Sequence, residues 1–289
     1  MDGTIRIEQA LAAALAAGEA PRCPPRLAAA IRHAVFPGGA RIRPRLCLAV
    51  AGACGEDRPA VAAAAAAAIE LLHCASLVHD DLPCFDDAPV RRGRPSVHRA
   101  FGERLAVLAG DALIVVAFEA LARGAGSAPE RLVPLLLTLG QAVGMPAGIV
   151  AGQAWECEPR VALADYQRAK TGALFAAATM MGATAAGADG AAWRALGERL
   201  GEAYQVADDI HDAAGDPELL GKPVGRDAAL GRPSAAAELG IAGAVRRLEH
   251  LVTGAIDAIP ECAGAAILRD HIRMEARGLL PRELARRAA

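Results

Sequence analysis

Long alanine-rich apolar runs are the feature that most limits how this chain can fold. Positions 62–68 are all alanine, within a longer apolar segment. Alanine is the best helix former, and its small side chain lets helices pack closely. Aromatic residues, which sheets collect, make up only 3% of the chain. The sequence therefore predicts an all-α protein.

Proline and glycine turns divide the chain into segments of helical length. No Ser/Gly/Pro-rich linker separates them, and no alternating strand pattern bounded by turns is present. We therefore expect a single domain over residues 1–289, a helical bundle around a central cavity. The predicted helices are 4–17, 25–35, 42–53, 59–79, 101–122, 128–143, 145–156, 162–186, 191–213, 235–259 and 264–288.

Charge and cysteine usage exclude some classes of protein. The formal net charge of -2 argues against a nucleic-acid-binding protein, for which a basic face is expected. The chain has seven cysteines, an odd number, and no CxxC pair. This pattern indicates small buried side chains in a reducing cytosol, and not a disulfide framework. The N-terminus has no signal-peptide pattern. These features predict a cytoplasmic protein.

Residues 132–155 carry no charge and are numerous enough to cross a bilayer. The span contains Pro134, Pro146, two glutamines and several glycines, and no aromatic belt flanks it. We therefore predict two consecutive helices joined near residues 144–146, and no transmembrane segment.

Two clusters of aspartates, at 80–87 and 208–212, crowd carboxylates into about two helical turns each. Their mutual repulsion is costly unless a cation lies between them. Hard oxygen ligands without neighbouring cysteine or histidine suit Mg²⁺, which usually shares itself with substrate phosphates. A solvated acidic turn is the alternative. The candidate metal ligands are Asp80, Asp81, Asp86, Asp208 and Asp212.

Glu70 and His73 match half of a di-iron carboxylate site. The second half, which must come from another helix, is missing, so this hypothesis is disfavoured. His73 is then either a core histidine or a phosphate donor near Asp80, two turns further along the same helix face.

Basic residues accompany both aspartate clusters. Gly38 and Gly39 precede Arg41 and Arg43 at a predicted helix start, where backbone N–H groups and guanidinium forks can bind an anion. A solvated basic turn is the alternative for this loop taken alone. Two diphosphates, one of them bridged by metal, would account for the surplus of cationic groups. The further cations are Arg91, Arg92, Lys170 and Lys222.

The order of these motifs resembles the trans-isoprenyl diphosphate synthases of the polyprenyl synthetase family over nearly the whole chain. Residues 82–86 and 108–111 most resemble the bacterial geranylgeranyl diphosphate synthases that feed carotenoid and chlorophyll pathways. The matching elements are Gly38-Gly39-x-Arg41-x-Arg43-Pro44, His73, Asp80-Asp81-x4-Asp86 with Arg91-Arg92-Gly93, Lys170-Thr171-Gly172, Gln205-x-x-Asp208-Asp209-x-x-Asp212 and Gly221-Lys222-Pro223.

The resemblance implies a Mg²⁺-dependent prenyltransferase, a homodimer, that joins isopentenyl diphosphate to an allylic diphosphate (dimethylallyl, geranyl or farnesyl). The five aspartates named above would hold Mg²⁺ against the allylic diphosphate. Arg91, Lys170 and Lys222 would grip that diphosphate, with Arg226 keeping the charge of a lysine often found in the same loop. Arg43, His73 and Arg92 would bind isopentenyl diphosphate. Thr171 and Gln205 would lie along the reacting carbons, where their oxygens stabilise the allylic cation.

One departure from the family affects the isopentenyl diphosphate site. The usual lysine after the two glycines is Ala40 here, and we expect Arg41 to compensate for it. Product length should depend on Ala75 and Ser76, the fifth and fourth residues before Asp80, since the growing tail passes there. An aromatic residue at this level closes the pocket in farnesyl-producing relatives. Both positions are small, which predicts a C20 product, with C15 as the alternative.

Three other functions compete with this interpretation. A terpene cyclase usually carries an Asn/Ser/Glu metal motif in place of the second aspartate cluster. A head-to-head synthase would carry paired Asp-x3-Asp motifs and more aromatic residues. A non-catalytic subunit of a prenyl synthase would have a broken aspartate motif, and both motifs are whole in this chain.

Overall fold

Helices make up nearly all the regular structure of the computed structural model, which describes residues 3–19, 23–36, 38–159, 163–214 and 234–278. The predicted all-α fold is confirmed over these residues. The first six helices are α1 (Gly3–Gly18), α2 (Pro25–Val35), α3 (Ile42–Ala53), α4 (Pro59–Asp80), α5 (Val97–Phe101) and α6 (Glu103–Gly124). The others are α7 (Pro129–Val143), α8 (Ile149–Ala154), α9 (Leu163–Gln167), α10 (Ala173–Ala185), α11 (Arg194–Ala214), α12 (Ala235–Asp257) and α13 (Ala265–Arg277).

The alanine run forms the middle of α4, the helix at the centre of the bundle. Pro59 occupies the first turn, where its missing N–H costs no hydrogen bond. Beyond it, apolar residues are buried all around the helix, and α1, α3, α6 and α10 pack against it. Small alanine side chains allow these neighbours to approach from several sides. The run therefore places the end of α4, with its aspartates, inside the bundle.

Two helices, α4 and α6, are long and apolar enough to cross a membrane by length and composition alone. They differ in burial: 78% of the apolar window of α4 is buried within the fold, against 33% for that of α6. Leu108 and Val115 of α6 are 51% and 57% exposed. One apolar face of α6 therefore remains uncovered in the single chain.

The uncharged span at 132–155 is two helices, as predicted. α7 ends at Val143 and α8 begins at Ile149. The junction between them contains Met145 and Pro146, both exposed.

A short antiparallel hairpin was not expected from the sequence. Strand β1 (Val90–Arg91) pairs with β2 (Arg94–Pro95), and Arg92 and Gly93 form the turn between them. Both turn residues have positive φ, 53° and 74°, as a two-residue hairpin turn of the I′ type requires. Strands of two residues leave no alternating pattern in the sequence, so the expectation of no strand is corrected. The hairpin places Arg91 against Asp81 at the end of α4 and Arg92 beside Glu70, within the helix.

The helix predicted for 162–186 is interrupted. α9 passes into a single π-helical turn, Arg168–Gly172, before α10 begins. Close neighbours press on this turn from two sides: a Cβ on Gly152 of α8 would overlap the backbone of Lys170, and one on Gly201 of α11 would lie 2.8 Å from the Cα of Gly172. Turns of this kind are frequent at functional sites, and this one carries Lys170 and Thr171.

The helices surround a cavity of about 470 Å³. Its walls come from the start of α3, the last turns of α4, the hairpin and α11. The predicted bundle around a central cavity is therefore confirmed. The charged lining residues include Arg43, Arg91, Arg92 and Asp208.

Candidate active site

The two aspartates at the end of α4 have different environments. Asp80 is half-buried, and its carboxylate accepts a hydrogen bond from the Lys170 ammonium at 3.3 Å. Asp81 is 2% exposed and is held by the Arg91 guanidinium, whose Nε lies 3.0 Å from Oδ1. Burial raises the pKa of Asp81 above its ordinary value, and the ion pair with Arg91 opposes that rise.

Asp81, a predicted metal ligand, is paired with a protein cation in this structure. Its carboxylate is buried against Arg91, and a metal ion there would have to displace that guanidinium. Asp86, the third candidate ligand of this cluster, is half-buried, and its backbone N–H donates to the carbonyl of Asp80 at 3.0 Å. The loop after α4 thus folds back and brings Asp86 beside Asp80.

The aspartates of α11 repeat this division. Asp208 lines the cavity, and both it and Asp212 are half-buried. Asp209 is 3% exposed, and burial raises its pKa above the ordinary value, against the opposing hydrogen bonds from Ala235 and Gln205. Asp209 accepts from Gln205 Nε2 at 3.0 Å and from the backbone N–H of Ala235 at 2.8 Å.

Gln205 of α11 and Thr171 of the π-helical turn contact each other. The Thr171 hydroxyl donates to Gln205 Oε1 at 2.9 Å, and both side chains are half-buried. The contact joins α11 to the π-helical turn.

Arg41 does not take the place of the missing lysine, which corrects the expectation drawn from Ala40. Its side chain is 2% exposed, and it donates to Glu8 at 2.8 Å, to Glu70 at 2.6 Å and to the carbonyl of Val35 at 2.8 Å. Burial acts to lower the pKa of Arg41, but the two carboxylates raise it by more. The net shift of the pKa is upward, so the guanidinium stays charged. Arg41 therefore holds α1, α2 and α4 together.

The two glycines before Arg41 are required by close packing. A Cβ on Gly38 would overlap the Arg41 guanidinium, and one on Gly39 would lie 2.9 Å from Nε of Arg92. The loop thus covers both guanidinium groups with bare backbone. The buried carboxylate of Glu70 lies beneath them, 2.6 Å from Arg41 and 3.8 Å from Arg92. Glu70 is thereby engaged as an arginine partner, not as half of a di-iron site.

Arg43 has the opposite environment to Arg41. Its Nε is buried and has no hydrogen-bond partner within the described part of the chain, and its guanidinium lies 4.6 Å from the ring centroid of Phe175 and 5.8 Å from that of Tyr204. Burial lowers the pKa of Arg43. A buried polar atom without a partner is costly unless a ligand satisfies it. Arg43 is therefore poised to bind an anion.

His73 lines the same cavity as Arg43 and Arg92. Burial, together with the positive charge of the nearby arginines, holds the pKa of His73 well below its ordinary value. The ring is therefore neutral and offers one N–H to a ligand.

Sequence reasoning missed Glu156, which lies at the end of the long uncharged span. Its Oε1 accepts from Lys170 Nζ and from the Tyr166 hydroxyl, each at 2.6 Å, and its Oε2 accepts from Gln153 Nε2 at 3.0 Å. Lys170 thus lies between Glu156 and Asp80. The sequence did contain one indication of its role: Glu156 is a single carboxylate that follows more than twenty uncharged residues.

The residues predicted to control product length lie on α4 above the aspartates. Ala75 is 2% exposed, and Ser76 is half-buried with its hydroxyl donating to the carbonyl of His73 at 2.8 Å. Neither side chain reaches far from the helix. Lys222 and Arg226 lie outside the described residues.

The oxygen donors fit a hard divalent cation, although they do not complete its shell. Over the described ranges, no three His, Cys, Asp or Glu side chains converge closely enough to hold a metal ion. Asp80 faces a cation already, since it accepts from the Lys170 ammonium. Mg²⁺ binds through one or two carboxylates and completes its octahedron with water and substrate phosphates, so an incomplete set of carboxylates suits it.

Comparison with known proteins gives consistent results. The family model for polyprenyl synthetase matches residues 24–258. The chain is 56% identical to the geranylgeranyl diphosphate synthase of Cereibacter sphaeroides over 282 residues, covering 98% of both chains. It is 53% identical to the geranylgeranyl diphosphate synthase of Rhodobacter capsulatus over 275 residues, covering 95% of both.

Solved structures show the same fold. A geranyltransferase from Legionella pneumophila superposes with a TM-score of 0.80 at 28% identity, covering 96% of this chain and 94% of that one. A geranyltransferase from Helicobacter pylori, complexed with magnesium and isoprenyl diphosphate, superposes with a TM-score of 0.78 at 28% identity, covering 95% and 97%.

Proposed function

The chain belongs to the polyprenyl synthetase family and is a trans-prenyltransferase, and from this premise we propose that it joins isopentenyl diphosphate to an allylic diphosphate to give C20 geranylgeranyl diphosphate. Arg43, whose buried Nε has no hydrogen-bond partner among the described residues, lies in a cavity shared with His73, Arg91 and Arg92 and carries the proposal. A cavity that gathers such cations opposite Asp208 suits a diphosphate on one side and a metal-bridged diphosphate on the other.

Isopentenyl diphosphate would bind on the side of Arg43. This guanidinium has a donor to offer, His73 adds a neutral N–H, and Arg92 adds charge from the hairpin turn. Arg43 is also fixed over Phe175, so its fork is oriented before the ligand arrives. Charged hydrogen bonds to phosphate would compensate for the burial of Arg43.

The allylic diphosphate would bind between the aspartates of α4 and those of α11. Asp80, Asp86, Asp208 and Asp212 would hold Mg²⁺, which when bound neutralises the departing diphosphate. Lys170 would exchange its contact with Asp80 for one with the diphosphate, while Glu156 keeps the ammonium in place. Arg91, fixed by Asp81, would donate to the same group, and Lys222 and Arg226 are proposed to assist.

The reaction follows from this placement. The bond between the allylic carbon and the diphosphate oxygen breaks, and the electron pair leaves with the diphosphate that the cationic residues bind. Thr171 and Gln205 present oxygens to the allylic cation. The double bond of isopentenyl diphosphate then forms the new carbon–carbon bond, and a proton passes to the leaving diphosphate. The apolar side chains around the cavity exclude water from the cation.

A homodimer is proposed from the uncovered face of α6. Leu108 and Val115 of α6, with Val133 and Leu137 of the neighbouring α7, are each more than half exposed. Contiguous exposed apolar surface marks a binding surface, and a second copy covers it most simply through a two-fold axis. Light scattering of the purified protein should give the mass of two chains. Leu108→Glu combined with Val115→Glu should give one.

We also propose that the protein acts in the cytoplasm and that its product enters carotenoid synthesis. The first rests on the seven free cysteines, which suit a reducing compartment. The second rests on the resemblance to the geranylgeranyl diphosphate synthases of carotenoid pathways.

The direct test is an assay of the purified protein alone. With Mg²⁺, labelled isopentenyl diphosphate and each allylic primer in turn, we expect a C20 diphosphate, and EDTA should abolish it. A terpene cyclase would instead consume the allylic diphosphate without isopentenyl diphosphate. A non-catalytic subunit would stay inactive although folded.

The small residue Ala75 supports the C20 product. Replacing it with Phe should place a ring beside the growing tail and stop synthesis at C15, because the buried position leaves no other room for the ring. Product length is measured by mass spectrometry after dephosphorylation. Ala75→Gly is the control that should leave C20 intact, and a wild-type product of C15 under excess isopentenyl diphosphate would contradict the assignment.

A further inference from the structure

Asp209 belongs to a hydrogen-bonded chain that runs from the start of α12 to Thr171. Its Oδ2 accepts from the backbone N–H of Ala235, the first residue of α12, and its Oδ1 accepts from Gln205 Nε2. Gln205 Oε1 in turn accepts from the Thr171 hydroxyl. The described chain is therefore Ala235 to Asp209 to Gln205 to Thr171, with distances of 2.8, 3.0 and 2.9 Å.

The direction of these bonds is fixed from one end. The N–H of Ala235 can only donate, so it fixes one oxygen of Asp209 as an acceptor. The other carboxylate oxygen also accepts, which selects the amide nitrogen of Gln205 and turns the amide oxygen towards Thr171. The carbonyl end of the Gln205 amide therefore points to the residue that faces the reacting carbons.

We propose that Asp209 is a positioning residue, which fixes the amide of Gln205 so that oxygen and not nitrogen is directed at Thr171. This inference rests on the proposed function and assigns to Asp209 a task other than metal binding. An amide turned the other way would present N–H groups, with partial positive charge, beside a developing cation. Burial of Asp209 keeps competing water away from both of its contacts.

The test is the variant Asp209→Asn. It keeps the shape of the side chain but replaces one of the two oxygen acceptors with an NH₂ donor. If its oxygen serves Ala235, its NH₂ faces Gln205 and inverts that amide. We expect kcat to fall about a hundredfold, the lower end of the range for a misdirected group at a site of developing charge. The KM values for both diphosphates should change less than threefold.

A double-mutant cycle separates positioning from a structural role. In the Gln205→Leu background the amide that Asp209 orients is absent, so Asp209→Asn should cost little further kcat. If Asp209 only anchors the start of α12, the two losses will multiply, and the proposal is overturned. Melting temperatures of all variants show whether each is folded.

A polarity swap gives a second readout. In Asp209→Asn combined with Gln205→Glu, the new carboxylate accepts from both the Asn NH₂ and the Thr171 hydroxyl, so all the bonds are restored. The pair should recover kcat relative to Gln205→Glu alone, which sets two carboxylates about 3 Å apart. No recovery in a folded double variant would contradict the proposal. If the wild-type enzyme shows no condensation at all, it is the proposed function that fails, and not this inference.

Discussion

The aspartate pair at the end of α4 and the aspartate pair on α11 show the same pattern of burial, but different groups bind them. In each, the first aspartate of a pair, Asp80 or Asp208, is half-buried, and the second is buried. Asp81 is held by the charged Arg91, whereas Asp209 is held by neutral donors, Gln205 and a backbone N–H. Adjacent residues of one motif thus differ in exposure: we propose that the half-buried carboxylate serves a ligand, while the buried one is bound within the protein.

The largest effect should follow from removing the cavity-facing aspartates. Asp80→Ala or Asp208→Ala should lower kcat by about a hundredfold to a thousandfold, since charge on the departing diphosphate loses its support. The melting temperature without Mg²⁺ should be unchanged or raised, because removing one carboxylate from a like-charge cluster relieves repulsion. Steady-state kinetics and thermal unfolding measure both quantities. A marked fall in the melting temperature of both variants would indicate a structural role.

The buried aspartates should behave in the opposite way. Asp81→Ala should lower the free energy of unfolding by about 2–3 kcal/mol, less than the full cost of breaking a buried ion pair because the Arg91 side chain is 36% exposed. Asp209→Ala should cost about 1–3 kcal/mol through its two lost hydrogen bonds. Urea denaturation without Mg²⁺ gives both values. If Asp81→Ala is as stable as Asp80→Ala, the division of tasks on α4 is wrong.

Much of the fold could be predicted because helices leave local signals. The alanine run predicted α4, and the bounds of α2 and α3 were predicted as observed. The two-residue strands and the π-helical turn gave no periodic signal, because tertiary contacts such as that of Gly152 with Lys170 impose them. For the site, residue type and order indicated which groups meet. They did not reveal that Arg41 and Asp81 are held in ion pairs within the fold, since Glu8 and Glu70 are distant from Arg41 in the sequence.

A smaller effect should appear at the proposed isopentenyl diphosphate site, which lies between α4 and the loop that contains Gly38 and Gly39. Because Arg41 is committed to Glu8 and Glu70, nothing at its position replaces the missing lysine. Ala40→Lys should therefore lower the KM for isopentenyl diphosphate by about tenfold, the lower part of the range for one charged hydrogen bond, and leave the KM of the allylic substrate nearly unchanged.

Arg41→Ala is the matched comparison for Ala40→Lys. It should mainly destabilise the fold, because it leaves Glu70 buried without its nearest partner. A specific rise in the KM for isopentenyl diphosphate, without loss of stability, would restore Arg41 as a substrate ligand.

The smallest expected effect is a change of folding stability with pH, which should depend on His73 of α4. Burial and nearby arginines hold the pKa of His73 well below 6.5, so the folded protein excludes a proton that the unfolded chain binds below that pH. The stability from neutral His73 is therefore present above pH 6.5 and is lost as pH falls below it, by at most about 1.4 kcal/mol per pH unit. Urea unfolding at pH 5.5 and 7.5 should show a smaller difference for His73→Gln than for the wild type. An unchanged difference would mean that His73 accepts a proton in the fold.

A thermal-shift titration with Mg²⁺ and inorganic pyrophosphate tests the ligand-binding role of Asp80 and the structural role of Asp81 in one measurement. Ligand bound at a hundred times its Kd stabilises the wild type by about 2.7 kcal/mol, which raises the melting temperature. We predict that Asp80→Asn starts near the wild-type melting temperature and loses the shift, whereas Asp81→Asn starts lower and keeps it. The opposite pattern, with the shift kept by Asp80→Asn and lost by Asp81→Asn, would contradict the division of tasks between the two aspartates.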